Sequence, residues 1–174
     1  MQPIDEIENQ YKTPDPWGFK TNPEDHARKE RVLKALKATL LDFKMSEFER
    51  ALDLGAGEGW ITKDLPAKEK WAYEISQTAM SRLPKGVLPC FLPSGKYDLI
   101  VATGVLYQHY DWKSLCEIIR QHSSKVVLFS HIADWEIDPI KKGFLKELMG
   151  AEEVYTERFK YREFRQSLRV WVKG

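Results

Sequence analysis

Apolar positions along the chain change period several times, and the changes mark the elements. From Asn22 the spacing is helical: Val32, Leu36 and Leu40 recur every four residues, with Leu33 beside them. Asn22 suits an N-cap, Pro23 the first helical position, and Glu24 and Asp25 put negative charge in the first turn. These signals predict one amphipathic helix over roughly 22–41. Beyond it, short apolar runs alternate with helical patterns. Strands are expected at about 50–54, 70–75, 86–90, 97–103 and 125–131, with short helices near 58–65 and 76–83. A better helix is expected over about 111–122, where Trp112, Leu115, Ile118 and Ile119 share a face. Another opens at Asp138-Pro139, carries Ile140, Phe144 and Leu148 on one side, and stops at Gly150. Two alternating segments close the chain, at 153–161 and 167–173; in the second, Leu168, Val170 and Val172 face one way and Arg169, Trp171 and Lys173 the other. Residues 1–20 show no clear period and end in the Pro-rich stretch TPDPWGF.

Strand–helix alternation argues for an α/β fold: a mostly parallel sheet with helices on both faces, closed by an antiparallel hairpin. With 174 residues and 43% apolar content there is room for one core, so a single domain over 1–174 is expected. Within it, 1–21 is an N-terminal segment and 22–41 a leading helix. Lys plus Arg number 27 against 26 for Asp plus Glu, which disfavours a dedicated duplex-nucleic-acid partner, because such binders draw affinity from a basic excess. Cys90, Cys116 and four scattered histidines form no metal or redox motif. The polar, acidic start MQPIDEIENQ and the lack of a long apolar run predict a cytoplasmic protein with no membrane association. Nothing in the pattern indicates an oligomer.

The densest chemical signal is Asp53-Leu54-Gly55-Ala56-Gly57-Glu58-Gly59, at a strand end and ahead of a helical pattern. Glycines there allow a tight turn and let a ligand approach the backbone, and the helix start that follows favours an anionic group. Asp53 can accept bonds from the loop N–H groups or reach a ligand ammonium. Glu74, about 20 residues on at the end of the next strand, can accept both hydroxyls of a ribose. The spacing G-x-G-x-G, with an acid two residues before the first glycine, favours S-adenosylmethionine over a dinucleotide.

ALDLGAGEGW, the WAYEIS strand and YDLIVATGVLYQHY resemble motifs of class I S-adenosylmethionine-dependent methyltransferases. YKTPDPWGFKT followed by a helix is similar to the N-terminal segment of the NodS-like family within that class. The resemblance implies a Rossmann-like sheet of order 3-2-1-4-5-7-6 with strand 7 antiparallel. It implies that Asp53, Gly55, Gly57 and Gly59 line the methionine part of the cofactor, that Glu74 holds the ribose, and that Ile75 packs on the adenine. Leu54 and Ala56 in the turn, Cys90 and Phe91 after strand three, and Thr103, Gly104 and Val105 after strand four complete the expected cofactor set. The family often has an acid after strand three; this chain has Cys90-Phe91-Leu92 there.

In such an enzyme the sulfonium is already activated, so the protein aligns an acceptor with the methyl group and excludes water. Tyr107, His109 and His131 are candidates to orient or deprotonate the acceptor; the alternative is that they pack and bind backbone. Tyr11 and Trp17 are expected to cover the cofactor as part of a lid, their rings near the sulfonium, although DPWGF could instead be a turn that plugs the core. Arg28 either reaches the cofactor carboxylate or is a solvated helix charge. The expected acceptor is a small molecule with an amine nitrogen. A non-catalytic S-adenosylmethionine binder and an NAD-dependent oxidoreductase are the rival readings.

Overall fold

In the computed structural model residues 2–107, 110–135, 146 and 150–174 are described. The sheet consists of β1 (Phe48–Leu54), β2 (Ala67–Tyr73), β3 (Val87–Cys90), β4 (Tyr97–Thr103), β5 (Ser123–Ile132), β6 (Ala151–Tyr161) and β7 (Phe164–Lys173). Their order is β3-β2-β1-β4-β5-β7-β6; β1 to β5 pair in parallel, and β7 runs antiparallel to both neighbours. This is the expected class I order.

The central strands are apolar on both faces because both are covered. On β4, Leu99 and Val101 pack with α2 (Pro23–Asp42) through Val32, Leu36 and Leu40. Ile100 and Ala102 pack on the opposite side with Ile119 of α4 (Trp112–His122). The alternation read in β7 holds: Leu168 and Val170 join the α2 side, while Trp171 joins the other core. The start of α2 is as expected, with Pro23 at the first position and the Asn22 side chain accepting from Glu24 N.

Three expectations are corrected. The stretch 1–20 contains a helix, α1 (Ile4–Gln10); it buries only Ile7, so no apolar period announces it. The helix expected at 58–65 is a turn followed by a single 3₁₀ turn at Thr62–Asp64, because Gly59 takes φ +72° at one end and Pro66 bars helical geometry at the other. The helix expected at 76–83 shortens to α3 (Gln77–Met80), with Pro84 restricting Leu83 in the same way. The helix read from Asp138 lies outside the described residues, apart from its stop: Gly150 has φ +58° and donates to Lys146 O.

Segments far apart in the chain meet at Asp25, whose carboxylate is fully buried. It accepts from Tyr161 Oη at 2.7 Å and Arg162 Nη2 at 2.8 Å, at the tip of the β6–β7 hairpin, and lies 3.5 Å from Arg28 Nη2. Arg162 also donates to Trp17 O at 3.0 Å, which ties the N-terminal segment to the same point. Removing one partner of a buried ionic cluster strands the remaining charges. Asp25→Ala should therefore lower unfolding free energy by about 3 kcal/mol in urea titrations, whereas a loss below about 1 kcal/mol would mean the cluster behaves as a surface pair.

Candidate functional site

At the end of β1 the chain turns sharply, and Gly55 N and Ala56 N donate to Tyr73 O of β2 at 2.8 and 3.2 Å. The turn is tight enough that side chains are excluded. Gly55 has φ +67°, and a Cβ there would lie 2.2 Å from Val105 Cγ1. Gly57 has φ +55°, and a Cβ would meet the Tyr11 hydroxyl at 2.7 Å. The bared backbone faces a cleft of about 650 Å³ beyond the carboxyl ends of the strands, where open α/β sheets bind ligands.

The cleft gathers most of the residues the sequence singled out. Asp53, Gly55, Ala56, Gly57, Glu74 and Ile75 border it from the first half of the sheet. Thr103, Gly104, Val105 and Tyr107 border it from the end of β4, and Tyr11, Trp17 and Arg28 from the N-terminal side. Four others do not. Leu54 is in the core, Gly59 is closed off by Pro84 and Leu83, the Cys90 thiol turns inward 4.0 Å from Tyr97 Oη, and His131 is wholly buried in β5. Phe91 is exposed and borders an adjoining recess of about 190 Å³, shared with Ile75 and Met80. His109 lies outside the described residues.

Glu74 bridges the two strand ends. Its Oε2 accepts from Gly57 N and its Oε1 from Ser76 N, each at 2.9 Å. Burial pushes its pKa up, and the two backbone donors work against that shift. Each oxygen retains a lone pair, so the carboxylate can still accept from a vicinal diol. Asp53 is deeper. Its Oδ2 accepts from Thr62 Oγ1 at 2.6 Å, its Oδ1 has no partner among the described residues, and burial pushes its pKa up to about 7.

Arg28 is only 6% exposed and is not a solvated helix charge. Its guanidinium lies between the Phe19 and Tyr161 rings, 5.4 and 5.3 Å from their centroids, and its buried Nε has no partner among the described residues. It is near enough to Asp53 to lower that group's pKa, against the dominant effect of burial. An unpartnered carboxylate oxygen and an unpartnered guanidinium nitrogen in one cleft suit a zwitterionic head group such as an α-amino acid.

Tyr107 is a poor base. Its hydroxyl accepts from Ile132 N at 2.9 Å, and burial pushes its pKa up to about 12, so it stays a neutral phenol.

Sequence reasoning missed how the N-terminal segment is held. The Glu58 carboxylate, within the glycine turn, accepts from Asp15 N at 3.2 Å, Lys20 Nζ at 3.0 Å and Arg82 Nη1 at 2.9 Å. Burial opposes its ionisation, but Arg82 and Lys20 outweigh burial and hold its pKa below the usual range. Glu8 of α1 accepts from Ser76 Oγ at 3.1 Å and Gln77 N at 2.6 Å at the start of α3. Also missed were Tyr110, Trp135, Tyr161, Phe164 and Gln166, which line the same cleft. A signal for Gln166 existed: carried two residues back, the Leu168–Val170 alternation places this polar residue on an apolar face.

No family model and no curated protein sequence matches the chain. Solved structures do. The N-methyltransferase NodS from Bradyrhizobium japonicum, crystallised with S-adenosylhomocysteine, superposes with a TM-score of 0.76 at 15% identity, over 98% of each chain. Magnesium protoporphyrin IX methyltransferase from Synechocystis with bound S-adenosylmethionine gives 0.69 at 11% identity, over 100% of this chain and 99% of that one. The CurJ carbon methyltransferase gives 0.69 at 14% identity, over 99% of this chain and 61% of that one. These likenesses establish the class I methyltransferase fold.

Two outcomes follow from the turn and its acid. Gly55→Ala adds a side chain at positive φ and against Val105, which together should cost about 2–4 kcal/mol. Adding Val105→Ala should recover the steric part, leaving about 1 kcal/mol of backbone strain in a double-mutant cycle. Asp53 takes up its proton more readily folded than unfolded, so its contribution to stability is full at low pH and is lost as pH rises. Measured by denaturation, the protein should lose stability relative to Asp53→Asn between about pH 4 and about pH 7; a flat difference would place the carboxylate in contact with water.

Proposed function

We propose that the chain is an S-adenosylmethionine-dependent methyltransferase acting on a small-molecule acceptor, with an amine nitrogen as the receiving atom. The observation that carries this reading is that Asp53 Oδ1 and Arg28 Nε, each without a partner among the described residues, lie beside a Gly57–Glu74 cradle in one cleft. In this reading Asp53 and Arg28 take the ammonium and carboxylate of the cofactor's methionine moiety. Glu74 takes the ribose hydroxyls, and the recess between Ile75 and Phe91 takes the adenine.

The cofactor supplies an activated methyl group on a sulfonium. This chain's residues orient it and exclude water. Trp17 and Tyr11, edge to face at 5.2 Å, lie over the glycine turn, and residues 1–21 act as a lid clasped by Glu58. Methylation of a neutral amine needs no strong base, which accords with a Tyr107 that stays protonated and a His131 set away from the cleft. The amine assignment draws support from the likeness to an N-methyltransferase, while the carbon methyltransferase on the same fold is why direct assay must decide it.

Thermal denaturation provides the test. At about 100 times its dissociation constant, S-adenosylmethionine or its demethylated product should add about 2.7 kcal/mol, and NAD should add nothing. Stabilisation by NAD alone would replace this reading with the oxidoreductase. Glu74→Ala should weaken S-adenosylhomocysteine binding tenfold or more by calorimetry, through lost bonds to a charged acceptor worth roughly 1.5–3 kcal/mol each. Cofactor binding without methyl transfer to any amine would favour a binding protein.

A further inference from the structure

The same cleft is bordered by two groups of aromatic rings. Trp135 lies 5.6 Å from Tyr107 and 5.1 Å from Phe164, at steep ring angles. Trp17 stacks on Phe19 at 5.6 Å with planes 20° apart. Trp135 and Trp17 remain 46% and 38% exposed, so two large indoles border the cleft with part of their surface in water.

A buried amide lies among these rings. Gln166, opposite Ile132 in the β5–β7 ladder, is 2% exposed and borders the cleft. Its Nε2 donates to Ser130 Oγ at 3.0 Å, which turns Oε1 away from that partner; Oε1 has no hydrogen bond among the described residues. A buried acceptor left without a donor is costly, and a ligand N–H meets the deficit. Charge narrows the ligand further. Arg28, wedged between Phe19 and Tyr161, already places a positive charge in the cleft, and an ammonium nitrogen has no lone pair to receive a methyl group.

We infer that the acceptor is a flat, uncharged ring bearing an amine, and that Gln166 selects it by accepting one of its N–H bonds. This rests on the methyl-transfer reading above. With one N–H held by Gln166, the nitrogen lone pair is left for the methyl carbon. As the N–C bond forms, the C–S bond breaks and its electron pair returns to sulfur, giving neutral S-adenosylhomocysteine. The positive charge passes to nitrogen, which sheds a proton to solvent. Gln166 is a specificity residue here; it neither gains nor loses a proton.

The test compares 3-aminoquinoline with quinoline, cyclohexylamine and glucosamine, by calorimetry on protein saturated with S-adenosylhomocysteine and by mass spectrometry of methylation with S-adenosylmethionine. Aminoquinoline should bind roughly tenfold or more tightly than quinoline, as one bond to an otherwise unpaired buried group implies, and should gain a methyl group. Cyclohexylamine and glucosamine, both ammonium ions at neutral pH, should do neither. Gln166→Leu should erase the preference for aminoquinoline with S-adenosylhomocysteine affinity unchanged, and Gln166→Glu, which keeps an acceptor oxygen, should retain it. Equal binding of quinoline and aminoquinoline, preference for either ammonium compound, or loss of the preference in Gln166→Glu overturns the inference while leaving methyl transfer intact. Failure of S-adenosylhomocysteine to bind at all overturns the methyl-transfer reading, and the acceptor assignment with it.

Discussion

The hydrogen bond from Gly57 N to Glu74 Oε2, 2.9 Å long, joins the ends of β1 and β2 and sets the geometry of the site. Together with the Gly55 and Ala56 donors to Tyr73 O, it pulls the glycine turn onto the neighbouring strand. The turn can lie that close only because it lacks side chains, and Val105 and Tyr11 occupy the space that Cβ atoms would need. The carboxylate loses solvation in this arrangement, which raises its pKa, and backbone donors return part of that cost. What results is an acceptor group fixed before any ligand arrives, so little ordering is left to oppose binding.

A second constraint encloses the other half of the cleft. Asp25 draws the β6–β7 hairpin tip onto the start of α2, and Arg162 extends the tie to Trp17. Glu58 fastens the N-terminal segment from the opposite side through Asp15 and Lys20. The N-terminal segment and the hairpin, remote in sequence, thus form two walls of one chamber. Their contacts are charged and partly buried, and so stronger than surface pairs but dependent on every partner being present.

How much of this was legible in the sequence follows from the range of the forces involved. Strand positions and the capped α2 could be read because alternation, helical spacing and capping are local and repeated, whereas the strand order came from the family resemblance. The Asp53–Gly57 turn could be read because a positive φ demands glycine in the sequence itself. Helix α1 could not: it buries only Ile7 and depends on Glu8 reaching α3, a contact about 70 residues away along the chain. The two helices that shrank after β1 and β2 did so because Pro66 and Pro84 limit them, a local signal that the apolar spacing obscured. The walls of the cleft were hidden for another reason. Trp135, Tyr161, Phe164 and Gln166 converge only once β5 and β7 pair in register.

A physical signature nevertheless marks these residues, and it is a violation of the pattern that builds the fold. Arg28 stands one turn before Val32 on the buried stripe of α2, and Gln166 stands two positions before Leu168 on a buried face of β7. A fold selected for stability alone would place apolar side chains at both positions, since each now leaves a buried polar atom without a partner. Asp53 breaks the pattern similarly at the end of a core strand, and all three border one cleft. Their convergence gives the cleft a carboxylate, a guanidinium and an amide oxygen, each with an atom still able to form a hydrogen bond, among aromatic rings. The fold is shared with methyltransferases of differing acceptors, so it is the polar atoms left unpaired in the cleft, more than the sheet that carries them, that bear on what the cleft can bind.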